Sequence, residues 1–325
     1  MTRNPTVHHD VSLSDVLWYR IGGRVRYLLD IRNQDDIAPA IEFIERNRPE
    51  RVMVVGLGSN LLMPDDYFDG AVIRVAAEPG PPAFFQDGER IDVFGGALLS
   101  DLALGALNEG LVGLEWSGGL PGTVGAGVRG NVGAFGGEIE QRFHHAEIVH
   151  FDGRGCQTEV LDHGEMNFAY RESKVKHERN WIVATASFDL ICADDANVAA
   201  AKEVHQRNID YRLARHPMEY PNCGSVFKNI ADEGNVNRIL AVWPDIAEKV
   251  RVDWHGKVSM GYIIGRLDLA GKRVGAAEIS TKHHNFIVNL GGAAASDVRT
   301  LIQTIQGRVD ESFGFIPEIE IEIIE

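Results

Sequence analysis

The stretch SGGLPGTVGAGVRGNVGAFGGE, residues 117–138, carries many glycines, a Pro121-Gly122 turn and one isolated Asn131. Glycine loses more backbone freedom on folding than any other residue, so a packed strand or helix is not written this way. The run reads as a loop whose main-chain N–H groups come close to a guest, and pyrophosphate is the usual guest of such donors. Residues 125–130, GAGVRG, match GxGxxG literally. A Rossmann fingerprint needs a strand before it and a helix after it. Here a Leu120-Pro121-Gly122 turn precedes and NVGAFGG (131–137) follows, so that match is set aside. On local grounds a structural glycine loop without a ligand stays open as the alternative.

Working outward, a second amide-rich loop, GLGSNL (56–61), follows the short buried strand Val52–Val55. It lacks the third glycine of the Rossmann pattern and the GK[ST] of a P-loop. It would offer amides, the Ser59 hydroxyl and the Asn60 side chain to another part of the same pyrophosphate; a tight turn is the plain alternative. Two such loops favour a large dinucleotide over a single phosphate. The first third of the chain alternates strand and helix. Residues 25–31 read as a strand, and Ile37, Ile41 and Ile44 place a helix in 34–47. Strands follow at 71–75 and 91–94, then a helix over 99–109 that stops at Gly110. Strands 146–151 and 158–161 flank Asp152-Gly153, a hairpin signal, and 181–190 is a further strand. The spacing then predicts an alanine-containing amphipathic helix over 197–213 and a loop with two prolines over 215–224. Residues 231–256 read as an ill-defined insertion, with helical patterning around Ile239 and Val242. A strong helix spans 296–312, capped by Ser296 and lined by Val298, Leu301, Ile302, Ile305 and Val309. The end, IPEIEIEIIE (316–325), alternates, which puts Glu318, Glu320 and Glu322 on one face of a strand.

At 325 residues the chain exceeds one small core and predicts two or three domains. Its 44% hydrophobic and 24% charged residues are those of an ordinary globular protein. The net charge of −15 argues against non-specific binding to nucleic acid or an anionic membrane. An anionic ligand would need positive charge gathered locally. No apolar run approaches the roughly 18 residues of a membrane span, and MTRNPTVHHDVSLSD lacks the apolar core of a signal peptide. Cys156, Cys192 and Cys223 are odd in number and widely spaced, as expected of a reducing cytoplasm without a zinc site. The pairs His8-His9, His144-His145 and His283-His284 lack the i, i+4 spacing of a zinc helix.

Three further motifs carry reactive side chains. In YRES (170–173), the planar fork of Arg171 suits a carboxylate or phosphate, although alone the motif reads more simply as a surface ion pair. In NCGSVFKN (222–229), Ser225 follows a glycine without any GxSxG elbow around it. Held against a developing carbanion it can donate a proton; in isolation it is a turn serine. Cys223 beside it is read as a small packing residue. Glu318 follows Pro317 at the start of the last strand, where outward glutamates are ordinarily just solvated.

The order and spacing of these motifs are more specific than any one of them. With YRIGG (19–23), GLGSNLL (56–62), GLEWSGGLPGTVGAGVRGNVGAFGGE (113–138), YRES (170–173), YPNCGSVFKN (220–229), STKHHNFIVN (280–289) and PEIEI (317–321), the chain resembles the UDP-N-acetylenolpyruvoylglucosamine reductases of bacterial peptidoglycan synthesis, also called UDP-N-acetylmuramate dehydrogenases. The resemblance implies an α+β fold of the vanillyl-alcohol-oxidase type. FAD-binding subdomains would span 1–75 and 76–195, and a substrate-binding domain 196–325. It implies non-covalent FAD, NADPH as reductant, and hydride passing from flavin N5 to C3 of an enolpyruvyl group. Arg171 would stabilise the substrate carboxylate, Ser225 would protonate C2, and Glu318 would hold the enolic acid or position the arginine. Lys228 or an ordered water would polarise Ser225. The cofactor residues implied are Gly56, Leu57, Gly58, Ser59, Asn60, Leu61, Gly119, Pro121, Gly122, Thr123, Gly125, Asn131, Gly133, Ala134 and Ile182. Those for substrate are Tyr170, Lys228, Asn229 and His283, with Asn229 on the uridine diphosphate; no metal is implied. A cytoplasmic monomer or weak dimer acting on a small UDP-sugar is expected, with no nucleic-acid or membrane partner.

The chain departs from the family pattern in three places. Phe135 replaces the commoner tyrosine, and Gly130-Asn131 stands where Met-Asn is frequent. Residues 231–256 directly follow the substrate motif, which points to the lid or to oligomeric contacts. No tyrosine lies between Ile191 and Ile209, which places the chain nearer the short-loop subgroup. Two other readings compete: a flavin oxidase for an alcohol or sugar on the same scaffold, and a nucleotide-binding module without catalysis. The glycine-rich loop has no His or Cys to tether a flavin, and Arg171, Ser225 and Glu318 occur together, against both.

Overall fold

Strands β1 (Thr6–Ser12), β2 (Arg24–Ile31), β3 (Val52–Val55) and β4 (Phe68–Val75) form one sheet in the order β1-β2-β4-β3. Both β2 and β3 run parallel to β4. A parallel neighbour needs a crossover, and helix α1 (Ile37–Asn47) supplies it between β2 and β3. Its Ile37, Ala40, Ile41 and Ile44 are buried at helical spacing against Leu29, Ile31, Ala71 and Ile73.

A computed structural model describes residues 6–152 and 155–325, and they divide into two compact units. The first holds the described residues up to Val11, with Arg24–Leu57 and Tyr67–Ala214; the second holds Ser12–Gly23, Gly58–Asp66 and Arg215–Glu325.

The first unit continues with β5 (Phe84–Asp87), β6 (Arg90–Phe94), α2 (Leu99–Asn108), α3 (Val124–Arg129), β7 (Phe143–Phe151), β8 (Cys156–Asp162), β9 (Trp181–Asp189) and α4 (Asp195–Arg215). Its second sheet is antiparallel throughout, in the order β8-β7-β9-β6-β5. The β7–β8 hairpin closes with Phe151 opposite Cys156, while Gly153 of the turn signal lies outside the described residues. Strand β9 is buried on both faces. Ile182 and Ala184 join the core under the first sheet, and Val183 joins the core under α2 and α3, because successive side chains of a strand point to opposite faces.

The glycine run itself corrects a sequence expectation. It contains a helix, α3, capped by Thr123, whose hydroxyl accepts from the Ala126 N–H at 3.3 Å. A Cβ at Gly125 would lie 3.1 Å from Gly95 O and from Val183 Cβ, and one at Gly127 would lie 3.1 Å from Val132 Cγ1. These glycines let a short helix sit directly on the sheet, and tight packing offsets their entropic cost. Helix α4 also differs from expectation. Its buried face is Ala201, His205, Asn208 and Arg212, a largely polar stripe. His205 Nε2 lies 3.2 Å from Ser100 O, Asn208 donates to Glu115 O at 3.2 Å, and Arg212 Nε donates to Gly118 O at 3.0 Å. These bonds tie α4 to the first unit, whose last segment runs to Ala214.

The second unit is built from α5 (Glu233–Val242), α6 (Ala247–Val252), α7 (Met260–Arg266), the antiparallel strands β10 (Arg273–Val274), β11 (Ala277–Ile279) and β12 (Ile287–Asn289), then α8 (Ala295–Phe313) and β13 (Glu322–Ile323). The stretch read as an ill-defined insertion forms α5 and α6, and Val236, Ile239, Ile246 and Val250 are buried in the unit's core with the inner face of α8. Ser296 does not cap α8; it lies inside the first turn. The Asp65 carboxylate accepts from the N–H groups of Ala295 at 2.6 Å and Ser296 at 3.0 Å, and the Asp297 side chain accepts from the Ala294 N–H at 3.0 Å. The last strand is shorter than its alternation predicts. Only Glu322 and Ile323 pair as a strand, parallel to Leu61-Leu62. Before them, single rungs hold the chain, with Lys228 N–H donating to Glu318 O and Glu320 N–H to Val226 O.

Candidate functional site

In the first unit the two glycine loops meet. A Cβ on Gly56, just after β3, would lie 2.7 Å from Thr123 Oγ1 and 3.2 Å from Ala126 Cβ. Among the described residues no hydrogen bond uses the N–H groups of Gly56 or Leu57. The first turn of α3 is different. Val124 N–H donates to Ala97 O at 2.8 Å and Gly125 N–H to Gly95 O at 2.7 Å. The amides of Gly125 and its neighbours therefore hold the protein together, and the donors open to a guest lie on the loop after β3. Gly119 N–H donates to Ser100 Oγ at 2.8 Å, and Leu99 N–H donates to Gly122 O at 3.0 Å beyond the Pro121-Gly122 turn.

Asn131 is fully buried in a left-handed conformation. Its amide donates to Glu140 Oε2 at 3.0 Å and Ala169 O at 3.1 Å, and its carbonyl accepts from the Glu140 N–H at 3.1 Å. The side chain is committed to the protein. Gly133 and Ala134 pair with Gly137 and Glu138 around a turn, Phe135-Gly136, in which both residues are left-handed. Ile182 is wholly buried in the core.

Arg171 is drawn to this loop. Ala169 and Glu172 exchange main-chain hydrogen bonds of 3.1 and 2.9 Å, closing a tight turn with Tyr170 and Arg171 at its tip. Arg171 has φ +60°, a conformation that glycine normally supplies at the third position of a turn. Its Nη2 donates to Gly133 O at 2.8 Å and its Nη1 approaches Asn131 O at 3.5 Å. Its guanidinium lies 5.0 Å from the centre of the exposed Tyr170 ring, and Lys176 Nζ bonds the Arg171 carbonyl at 2.6 Å.

The second unit holds the other candidates. Ser225 is half-buried, just after Gly224 at φ +80°, and no hydrogen bond engages its hydroxyl among the described residues. Asn285 fixes the segment beyond it, accepting from Phe227 N–H at 3.1 Å and donating to Phe227 O at 2.8 Å. Lys228 is ion-paired with Glu318. Asn229 accepts from the Met260 N–H at 3.1 Å and so holds the start of α7. Of the 58–61 residues, Gly58 is left-handed against Leu17, the Asn60 amide is 3.5 Å from Glu320 O, and Leu61 pairs with Glu322. His283 packs edge-on against His216 and Phe286, at 5.2 and 4.7 Å between ring centres. Its Nδ1 is buried without a partner, and burial, reinforced by neighbouring His284, pushes its pKa down. A cavity of about 660 Å³ also lies within this unit, lined by Arg20, Gly22, Asp65, Tyr220, Asn289 and Gly292, and none of the expected catalytic residues borders it.

The donor set fits a bound dinucleotide: unused amides at Gly56 and Leu57, and a close loop approach that a Cβ would block. Residues 25–158 match the FAD binding domain family. Residues 216–324 match the C-terminal domain of UDP-N-acetylenolpyruvoylglucosamine reductase. The chain is 36% identical over 305 residues to UDP-N-acetylenolpyruvoylglucosamine reductase 2 of Symbiobacterium thermophilum, covering 94% of this chain and 87% of the relative. The chain belongs to the UDP-N-acetylenolpyruvoylglucosamine reductase family. The Caldicellulosiruptor saccharolyticus member is 35% identical, with 97% of this chain and 91% of the relative covered. The crystal structure of the reductase from Thermus caldophilus superposes with a TM-score of 0.73 at 28% identity, covering 99% of this chain and 100% of that one. The protein is thus an FAD-containing oxidoreductase with the family's α+β fold. Among the described residues no helix is long and apolar enough to cross a membrane, and no group of His, Cys, Asp and Glu could hold a metal ion.

One polar group in this reductase has no place in the sequence reading. Arg212 is 8% exposed, and its Nη2 is buried without a hydrogen-bond partner. The signal was present in the spacing of His205, Asn208 and Arg212, which share one helical face. In a polar helix that face is indistinguishable by composition from a solvated one.

Proposed function

We propose that the chain reduces UDP-N-acetylglucosamine enolpyruvate to UDP-N-acetylmuramate with NADPH, as the names of its relatives indicate for those proteins. The observation that carries the chemistry is the anchoring of Arg171, a strained left-handed residue clamped onto the main chain of Asn131 and Gly133. Backbone strain of this kind costs about 1–3 kcal/mol and persists where a site over-determines it. When bound, FAD would relay hydride from NADPH to C3 of the enolpyruvyl group.

The residues then divide the work. Arg171 stabilises the substrate carboxylate as charge develops beside it, an interaction strongest in the transition state. Ser225 delivers the proton to C2; its unengaged hydroxyl can turn toward a substrate. Glu318, paired with Lys228, holds the enolic acid, and Lys228 sets the position of its carboxylate. Tyr170, Asn229 and His283 would complete the UDP-sugar site. Gly56 to Leu61, the 119–125 segment, Asn131 to Ala134 and the main chain at Ile182 would hold FAD. On this reading 1–75 and 76–195 carry the cofactor and 196–325 the substrate, in a cytoplasmic protein that is a monomer or weak dimer and has no nucleic-acid or membrane partner.

The test follows flavin absorbance anaerobically in Ser225→Ala. NADPH bleaches the flavin at the parent rate, and the enolpyruvyl substrate then fails to restore the colour. Recovery at the parent rate would remove Ser225 as the proton donor.

A further inference from the structure

Arg212 is more than nine-tenths buried, with its Nη2 enclosed, and no carboxylate or other anion pairs with its guanidinium among the described residues. Its one hydrogen bond to the protein is from Nε to the carbonyl of Gly118. Phe135 covers it, with the guanidinium carbon 5.1 Å from the ring centre, and Tyr211 stands edge-on to that ring at 5.4 Å. A Cβ on Gly119 would lie 3.3 Å from Arg212 Cδ. Burial lowers its pKa only to about 10, so it stays charged at neutral pH. An uncompensated buried charge is among the costliest features a fold can keep. His205 and Asn208, on the same face, each meet a single carbonyl, whereas an arginine there brings five donors to a site that engages one. A methionine would fill the same space without the penalty. Nothing the fold requires explains the charge, and it lies against the glycine-rich stretch 117–138, within a chain of net charge −15.

We propose that Arg212 is an FAD-binding residue whose unsatisfied donors take an anionic group of the cofactor. The inference rests on the FAD reading above. Two groups have the right chemistry: the pyrophosphate, anionic in both redox states, and the N1–C2 carbonyl edge of the ring, anionic only when reduced. A planar guanidinium suits either, since both offer two acceptors in a bidentate arrangement.

The test uses full-length, flavin-stripped parent, Arg212→Met and Arg212→Lys, each titrated with FAD by fluorescence quenching and each melted without flavin. For the pyrophosphate, Arg212→Met binds oxidised FAD on the order of 30-fold or more weaker, and ADP competes less well by a similar factor. For the ring, oxidised FAD binds as in the parent, and a 30-fold loss confined to the reduced form lowers the two-electron potential by about 44 mV. Arg212→Lys recovers part of the loss in either case. Stripped Arg212→Met melts no lower than the stripped parent, because an unpaired buried charge has gone; a merely structural arginine would lower the melt and leave affinity and potential alone. Unchanged affinity and potential in Arg212→Met, with the parent binding FAD, overturn the proposal. A parent that binds no FAD overturns the underlying reading with it.

Discussion

At the scale of the residue, Arg171 shows how far conformation and chemistry can be separated by experiment. Its φ of +60° costs any residue with a Cβ about 1–2 kcal/mol relative to glycine. Arg171→Ala and Arg171→Gly both delete the guanidinium and its bonds to Gly133 O and Asn131 O. They differ only in the backbone, so Arg171→Gly should be the more stable by about 1 kcal/mol in urea denaturation, and neither should turn over. Equal stabilities would mean that the left-handed turn relaxes without strain. Asn131 teaches the complementary lesson. The family resemblance implies that it lies at the cofactor, and every polar atom of its side chain is spent on Glu140 and Ala169. Residue type could be read from the chain; the direction the side chain faces could not.

At the scale of the element, the strong periodic signals transferred well because they reflect burial on one face. Ile37, Ile41 and Ile44 predict α1, and Val298 to Val309 predict α8. The ends of elements transferred less well, since a cap depends on whatever the fold brings there. Ser296 is a good capping residue by type, but the α8 amides are taken by Asp65, distant in sequence. Asp65 also places a negative charge at the positive end of a long helix. Asp65→Ala should therefore lower stability by about 1–2 kcal/mol in denaturation, whereas Ser296→Ala should change it little. A large loss in Ser296→Ala would restore the sequence reading. Helices α3 and α4 were obscured for opposite reasons. One is rich in glycine because it packs too close for side chains; the other buries polar groups because its partners are main-chain carbonyls.

At the scale of the whole molecule, titration ties the two units to pH. Burial leads in pushing the pKa of His283 below its ordinary 6.5, and likewise that of His145, helped by the adjacent His144. A histidine with a depressed folded pKa binds its proton more readily when unfolded. It therefore stabilises the protein above pH 6.5, and that contribution is lost as pH falls through the folded value. Stability should be level above about pH 7 and should begin to decline as pH falls below about 6.5. It should fall further near pH 4 and below, as Glu219 and Asp189, both shifted down, take up protons. The double variant His145→Gln, His283→Gln should flatten the first stage and leave the second, as read by urea midpoints across pH.

The sequence by itself determined the motif order, the family, the cofactor class and the periodic core faces, because these depend on residue type and on spacing along the chain. Tertiary structure alone decided which amides remain for a ligand, that residues 231–256 belong to the core of the second unit, that Lys228 serves Glu318, and that Arg212 lies buried without a counter-ion. Each of these is a question of what a polar or apolar group faces. That is settled by segments far apart in sequence meeting under the demand that buried polar groups find partners.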